Sequence, residues 1–188
     1  MIRAYDIEID NVRKLSFKID RHDIAGFYNI DKKQENEITD LLLGIWKPRN
    51  GRIELPKLKS IEISEDTINV YCNITVWQYL KIKYNTRINA KYIIEGVLIL
   101  AELLQYKDCI INNLSQKEKY RLQVSGSLLQ HIDLMILHNL FQDNWDNIME
   151  CLLEEASLQC GIVVFTGDKK ESMHGLPIHY YDLDVSKY

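Results

Sequence analysis

The 188-residue sequence predicts an α/β domain with a mostly parallel sheet, a small antiparallel β part at its N-terminus and a helical subdomain at about residues 73–130. Three patterns indicate this class. Short segments of consecutive apolar residues alternate with helical segments, which is typical of parallel strands that are covered on both faces. The N-terminal segment alternates apolar and polar side chains, as half-buried strands do. The middle of the chain instead repeats its apolar residues at three- and four-residue steps, which favours helices.

The N-terminal part is predicted to contain three strands and a helix. Apolar and polar residues alternate over residues 2–9 and again over 15–19, and a short apolar strand follows at 23–28. The polar stretch 29–36 has the composition of a loop. A helical pattern then extends over residues 37–47, so this part should form strand, strand, strand, loop and helix.

The middle of the chain changes from short strands to helices. Two short strands are predicted at residues 52–55 and 59–63, and helical spacing of apolar residues extends from 75 to 104. Ser115 is followed three residues later by Glu118, the S-x-x-E pattern of a capping box that starts a helix. This section is therefore expected to be mostly helical.

The C-terminal part returns to strands that should be buried on both faces. Residues 133–137 and 161–165 are apolar segments of strand length, separated by a helical pattern over 146–158. Neither a linker nor an internal repeat separates the segments. We therefore expect a single domain over residues 1–188 that includes the helical subdomain.

Composition and charge exclude several classes of function. Lys and Arg total 23 against 27 Asp and Glu, a net charge of −4, so the chain has no general attraction for nucleic acid. The longest apolar runs, residues 41–46 and 96–104, are shorter than the ~20 residues needed to cross a bilayer. The first residues lack the apolar segment of a secretory signal. We expect a cytoplasmic protein without direct membrane insertion.

Cysteines and histidines do not form the pattern of a metal site. The cysteines are widely spaced and lack a C-x-x-C pair, so they are expected to be reduced and mostly buried. His174 and His179 flank a turn-like segment with only Asp182 and Asp184 nearby, and we interpret both as solvated loop histidines. The four cysteines are Cys72, Cys109, Cys151 and Cys160.

Five sequence segments follow one another in a recognisable order. They are IAGFY at 24–28, LLLGIWKPRNGRI at 41–53, NITV at 73–76, the long stretch LSQKEKYRLQVSGSLLQHIDLMILHNLFQDNWD at 114–146, and GIVVFTGDKKES at 161–172. In this order they resemble the ATP-binding cassette family, the nucleotide-binding subunits of ABC transporters, over nearly the whole chain. The resemblance implies a P-loop NTPase-like core with a helical subdomain.

The resemblance places the P-loop at Asn29–Asn36, and this stretch lacks the residues that bind phosphate. A working P-loop needs G-x-x-x-x-G-K-[ST], because glycines let backbone N–H groups approach the phosphates while Lys and Ser/Thr bind phosphate and magnesium. Here no glycine remains, Glu35 occupies the lysine position and Asn36 the hydroxyl position. Replacement of the lysine by Lys32 or Lys33 is disfavoured because the backbone nest is lost as well.

Other catalytic positions of the family are replaced too. His138 and Asn139 stand where the resemblance puts the magnesium-binding Asp and the catalytic Glu, and Gly167 stands at the switch histidine. Histidine is a poor magnesium ligand, and an amide cannot accept a proton from water. Glu65 or Asp66 lies where the Q-loop glutamine is expected. The resemblance thus implies a pseudo-ATPase with no catalytic residues, no metal and no cofactor bound by its own site.

The signature region is retained in part. In the family two cassettes pack head to tail, so that each ATP lies between the P-loop of one and the signature helix of the other. Ser115 and Lys117 are therefore candidates to contact a phosphate of ATP and magnesium held by an active partner, with a plain helix N-cap as the alternative for Ser115. Asp146 matches the D-loop aspartate that contacts the opposite subunit, and an exposed loop acid is the alternative.

The family resemblance leads to three hypotheses about function. The leading hypothesis is a catalytically degenerate subunit that pairs with an active ABC ATPase subunit and couples to a transmembrane permease, peripheral at the inner face of the membrane. Its helical subdomain would present the docking surface, with Trp77, Tyr79 and Tyr84 as interface aromatics or as core residues. A second hypothesis is a non-transport adaptor or immunity-type interaction protein on the same scaffold. The third is a weak ATPase with an unconventional site.

Overall fold

The chain folds into two β-sheets with helices packed on the larger one. The strands are β1 (Ile2–Ile9), β2 (Val12–Ile19), β3 (Ile24–Tyr28), β4 (Arg52–Glu54), β5 (Ile61–Ser64), β6 (Leu134–Leu137), β7 (Gly161–Phe165) and β8 (Ile178–Asp182). The helices are α1 (Lys32–Leu42), α2 (Val76–Lys83), α3 (Ala90–Leu100), α4 (Gln116–Leu128) and α5 (Asn147–Ser157). The computed structural model describes residues 1–9, 12–64, 71, 73–85, 88–138, 145–166 and 176–183.

The small sheet has the order β2-β1-β4 and is antiparallel. Ala4 of β1 pairs with Phe17 on one side and with Ile53 on the other. Burial in β1 alternates at Ile2 and Ala4 and again at Ile7 and Ile9, as the sequence predicted, but an irregularity in the pairing between Ala4 and Ile7 shifts the alternation by one residue. The predicted antiparallel β part at the N-terminus is thus confirmed.

The large sheet has the order β5-β6-β7-β3-β8, and all of its strand pairs are parallel. Its inner strands β6 and β7 are buried at every residue, as expected for continuously apolar strands with both faces covered. Strand β8 was not predicted, because its sequence IHYYD is half-buried at the sheet edge and lacks an apolar run. His179 therefore lies on a strand and not in a loop, although its side chain is exposed as expected.

The two faces of the large sheet contact two separate hydrophobic cores. In β7, Ile162 and Val164 pack with the helices of the middle and C-terminal parts of the chain. Val163 and Phe165 point to the other side, where they pack with α1 and the small sheet. This alternation explains why a strand with no polar residue is stable at this position.

The described elements between Thr75 and Leu128 are helices, apart from a β-bridge that joins Thr75 to Ile110. Capping boxes start α2 at Thr75 and α4 at Ser115, so the S-x-x-E prediction is confirmed. The helix predicted to reach Leu104 ends at Leu100, and Glu102 has a left-handed φ of 55° before a 3₁₀ turn at Leu104–Tyr106.

Two remaining expectations concern cysteines and membrane insertion. The described cysteines are free thiols, but only Cys160 is buried, whereas Cys109 is half-buried and Cys151 is exposed on α5. The expectation of mostly buried thiols was therefore wrong. Cys72 and His174 lie outside the described residues. None of the helices that the structure describes is long and apolar enough to cross a membrane.

Candidate functional site

The candidate site lies at the carboxyl ends of β3, β6 and β7, the edge where open parallel sheets usually bind ligands. Asn29 follows β3 with a left-handed φ of 54°, a conformation that asparagine tolerates better than most residues. Its side-chain amide donates a hydrogen bond of 2.8 Å to Asp182 at the end of β8. The turn after β3 is thereby tied to the neighbouring strand.

Helix α1 begins at Lys32, five residues before the predicted start at Glu37. The cause is a capping box that sequence reasoning missed. The carboxylate of Asp31 accepts a hydrogen bond of 2.8 Å from the backbone N–H of Gln34, and the Gln34 side chain accepts one of 3.0 Å from the N–H of Asp31. The D-x-x-Q pattern at residues 31–34 is the signal that could have revealed it. Residues 32–36 are consequently helical and not a loop.

The structure brings two of the predicted site residues into contact. Nδ1 of His138, which follows β6, lies 2.5 Å from Oε1 of Glu35 on α1, and the two side chains are 1% and 6% exposed. The Nζ atom of Lys32 lies 3.1 Å from the other carboxylate oxygen of Glu35. A buried pair of Glu35 and His138 therefore joins the start of α1 to the end of β6.

The other side of the imidazole is also enclosed. Nε2 of His138 lies 3.4 Å from Oγ1 of Thr39, and the ring packs against Phe165 with 5.1 Å between ring centroids. The Tyr120 hydroxyl donates to the backbone carbonyl of His138 at 3.4 Å. Nothing in the sequence pattern pointed to Thr39 or Tyr120 as partners of this site.

Carboxylate, imidazole and hydroxyl occur in the same order in the catalytic triads of hydrolases, but the geometry here does not make Thr39 a nucleophile. Its hydroxyl donates a hydrogen bond of 2.8 Å to the carbonyl of Glu35 in its own helix, and the residue is only 7% exposed. A nucleophile must donate its proton to the base and must reach a substrate. The row of three side chains is therefore a packing arrangement.

The environment of Glu35 favours its ionised form. Burial opposes ionisation, but the hydrogen bond and charge of His138, together with the ammonium of Lys32, outweigh it and lower the pKa of Glu35 below its ordinary value. A negative charge thus occupies the position where the family resemblance puts a lysine.

At the start of α4, the predicted partner-site residue Ser115 is engaged within the chain. Its backbone N–H and its hydroxyl both donate to Oε2 of Glu118 at 2.7 Å, and its oxygen accepts from the N–H of Glu118. The N-cap interpretation of Ser115 is therefore confirmed. The N-terminus of α4 already carries a carboxylate, which is the charge that the helix dipole favours there.

The predicted residues Lys117 and Asp146 also contact each other. Nζ of Lys117 lies 2.7 Å from the carboxylate of Asp146, Arg121 donates to the same oxygen, and Asp146 caps α5 by accepting from the N–H of Met149. Burial works against ionisation of Asp146, but these donors prevail and lower its pKa to about 2. Asp146 is thus a half-buried cap and not an exposed loop acid, and Arg121 is a partner that the sequence did not reveal.

The remaining predicted residues are placed as follows. Asn36 is exposed on α1 and does not join the Glu35–His138 pair. Asn139, Gly167, Glu65 and Asp66 lie outside the described residues. Within the described ranges, no group of three or more His, Cys, Asp or Glu side chains is arranged to hold a metal ion.

Of the three candidate interface aromatics, Tyr79 belongs to the core. It is 2% exposed, and its ring packs edge-on against Tyr71 at a centroid distance of 5.2 Å. Trp77 and Tyr84 are half-buried and line a surface groove between α2 and α3.

Comparison with solved structures identifies the fold. A protein from Pyrococcus furiosus described as an ABC transporter ATP-binding protein superposes with a TM-score of 0.76 at 20% identity, covering 100% of this chain and 98% of that one. CbiO1 from Clostridium perfringens, part of the cbiONQ transporter complex, gives 0.68 at 17% identity over 89% of this chain and 78% of its own. A dimeric ATP-binding cassette with ADP and phosphate bound gives 0.67 at 16% identity over 98% and 97%.

No protein-family model matches the chain, and no curated protein does. The chain nevertheless has the fold of the ATP-binding cassettes of ABC transporters over its whole length. The fold that the sequence resemblance implied is thereby confirmed, while identities of 20% or less establish the fold alone.

Proposed function

We propose that this chain is a cassette-fold subunit without ATPase activity of its own, which pairs with an active cassette subunit and couples to a transmembrane permease. The cassette fold over the full chain supports the general class. The buried pair of Glu35 and His138 is the main support for the proposed absence of ATPase activity, because it occupies the edge of the sheet where this fold binds nucleotide. The proposed location, peripheral at the inner face of the membrane through a permease, follows from the same partners.

The residues at this edge do not fit a magnesium–nucleotide complex. Phosphates need cations and free backbone donors, but Glu35 supplies a negative charge and Asp31 caps the start of α1 with its own carboxylate. Magnesium prefers oxygen ligands, whereas His138 presents an imidazole that Glu35 and Thr39 already contact. We therefore propose no catalytic step at this site.

Ser115 and Lys117 could contribute to a partner's ATP site only by giving up contacts that they make within the chain. For Ser115 to donate its hydroxyl to a phosphate, the hydroxyl would have to leave Glu118, and Lys117 would have to leave Asp146. The phosphate would also approach the carboxylate of Glu118, which repels it. Completion of a composite ATP and magnesium site by Ser115 and Lys117 thus requires both residues to change partners when the subunits associate.

The first experiment isolates the chain from its native cell in mild detergent, identifies the co-purifying proteins and measures nucleotide binding and turnover for the chain alone and for the complex. We expect an active cassette and a permease to co-purify, with turnover by the complex and none by the chain. Recovery of neither subunit would contradict the transport role and leave an adaptor or immunity-type protein on this scaffold.

A matched pair of variants decides where any activity of the isolated chain would arise. His138→Ala removes the buried imidazole, and His179→Ala removes an exposed one on β8. We expect calorimetry with magnesium and ATP to show no binding for the wild type or for either variant. Turnover by the wild-type chain that His138→Ala abolishes and His179→Ala retains would establish an unconventional ATPase site and overturn the proposal.

A further inference from the structure

One side of helix α3 is apolar and exposed. Tyr92, Gly96 and Ile99 follow one another at steps of four and three residues, so they lie on the same side of the helix. Tyr92 is 75% and Ile99 62% exposed, whereas Ile94 and Leu98 on the other side of the helix are fully buried. An exposed apolar patch on a folded domain usually marks an interaction site. We call Tyr92, Gly96 and Ile99 the exposed side of α3.

Two polar groups lie among these apolar residues. Glu95 is half-buried at the border of the exposed side, and Tyr92 carries a hydroxyl. Neither side chain has a hydrogen-bond or ion-pair partner among the described residues. A carboxylate that is partly removed from water is stabilised by a hydrogen-bond donor. The exposed side of α3 therefore offers one acceptor and one donor to an occupant.

Gly96 leaves an open space between Tyr92 and Ile99. A Cβ atom placed on this glycine would have no heavy atom within 4 Å. The backbone of α3 is therefore accessible here to a large flat side chain, such as the ring of a tyrosine.

The residues on this side are spaced so that two antiparallel copies of α3 match each other. With a two-fold axis that crosses the helix midway between positions 93 and 94, Ile99 of one copy lies level with Ile88 of the other. Ile88 lies in the turn before α3 and is 77% exposed. The symmetry repeats this contact, so that an apolar pair closes each end of the interface.

The same axis brings the polar groups together at the centre. Tyr92 of each copy lies level with Glu95 of the other copy and one residue away from its Gly96. The phenol hydroxyl can therefore donate to the carboxylate while the ring packs over the open space at the glycine. A parallel arrangement would instead place each Gly96 opposite another glycine and leave the space unfilled.

We propose that the chain forms a two-fold symmetric dimer through the exposed side of α3, with the helices antiparallel and Tyr92 of each copy hydrogen-bonded to Glu95 of the other. A second copy is favoured as the occupant because each group on this side finds a complementary group at the facing position of the same helix. The inference goes beyond the proposed function and does not depend on it, because the contact uses neither nucleotide nor a permease.

Sedimentation equilibrium of the full chain, without nucleotide or other subunits, tests the contact. Two helices of 11 residues bury less than the ~1,200 Å² of a stable interface, so we expect a weak dimer that forms at about 100 µM chain. Ile99→Glu should weaken the dimer by about tenfold or more, because the symmetry places two carboxylates against apolar side chains. Ile45→Glu, at an isoleucine that is 73% exposed outside α3, is the matched control and should leave association unchanged.

Tyr92→Phe separates the proposed contact from general apolar association. The substitution keeps the ring but removes the hydroxyl from both symmetry-related contacts with Glu95, so we expect the dimer to weaken by about tenfold. A dimer of Tyr92→Phe that is as strong as that of the wild type, or stronger, would contradict the proposed hydrogen bonds.

Cysteine cross-linking tests the antiparallel register. One chain carries Ile99→Cys and the other Ile88→Cys, both combined with Cys151→Ser to remove an exposed native thiol. Mixed under oxidising conditions, the two chains should form a disulfide-linked dimer, because a disulfide requires Cα atoms within ~7 Å. Ile99→Cys alone should not cross-link to itself, since antiparallel copies separate the two positions by about 16 Å along the helix.

Four results would overturn the proposal. A chain that stays monomeric at every concentration would exclude the dimer. Association that Ile99→Glu leaves unchanged would place the contact elsewhere, and efficient cross-linking of Ile99→Cys to itself would exclude the antiparallel register. Sedimentation of a monomeric chain with phosphatidylcholine vesicles, abolished by Ile99→Glu and retained by Ile45→Glu, would show that a membrane surface covers α3.

Discussion

The carboxyl edge of the large sheet and the groove between α2 and α3 differ in how their charged groups are paired. At the edge, Glu35 and His138 pair with each other inside the protein. In the groove between α2 and α3, Lys81 and Lys91 lie with the half-buried Trp77 and Tyr84 and have no ion-pair partner among the described residues. The charged groups at the edge of the sheet are therefore paired within the chain, whereas the two lysines of the groove are not.

The largest expected effect on stability comes from breaking the buried pair of Glu35 and His138. Glu35→Ala should lower the free energy of unfolding by about 3–5 kcal/mol, because the buried imidazole of His138 loses its charged partner. Urea denaturation at neutral pH measures the loss. The loss should be smaller for Glu35→Gln, whose amide oxygen can still accept a hydrogen bond from the imidazole.

Asn36→Ala provides the control for this prediction, because Asn36 lies next to Glu35 on the same helix but is exposed. We expect its effect on the free energy of unfolding to stay within about 0.5 kcal/mol. If Glu35→Ala changed the free energy of unfolding as little as Asn36→Ala, the pair of Glu35 and His138 would contribute little to stability. Pairing of the charges at the edge of the sheet would then not explain how this region is stabilised.

Much of the fold could be predicted from the sequence because it depends on local patterns. The apolar runs that became β6 and β7 and the capping boxes at Thr75 and Ser115 are visible in single segments. Strand β8 was missed because an edge strand with half-buried polar residues lacks such a run.

The candidate site was harder to predict because its partners are distant in the sequence. Glu35 and His138 are 103 residues apart, and each looked like a separate loss of a catalytic residue. Only the structure shows that the two side chains contact each other, at positions where the family resemblance puts a base and an acid. The same holds for Arg121 and Asp146, whose contact no spacing rule indicates.

Two glycine substitutions compare the packed interior of the protein with the exposed side of α3. Gly126→Ala on α4 should destabilise the protein by about 1–3 kcal/mol, because the new Cβ would lie 2.9 Å from the ring and hydroxyl of Tyr79. Gly96→Ala on α3 meets no atom within 4 Å and should stabilise the helix by about 0.5–1 kcal/mol. Thermal unfolding measures the change in stability of each variant. Destabilisation by both substitutions would show that a methyl group at position 96 also meets neighbouring atoms.

The smallest expected effect isolates the charge of Asp146, which joins α4 to α5. Asp146→Asn keeps a residue that can cap α5 but removes the charge that binds Lys117 and Arg121, so we expect the free energy of unfolding to fall by about 1 kcal/mol at pH 7.

Since folding lowers the pKa of the Asp146 carboxyl from 3.8 to about 2, its ionisation stabilises the fold above pH 3.8, and this contribution is lost as the pH falls towards 2. The difference in unfolding free energy between wild type and Asp146→Asn should therefore be constant near neutral pH and shrink between pH 4 and 2. Asp108→Asn, at an exposed acid, serves as the control, and we expect its free energy of unfolding at pH 7 to stay within about 0.5 kcal/mol of the wild type. A difference that persists unchanged at pH 2 would mean that the side-chain amide, and not the lost charge, causes the destabilisation.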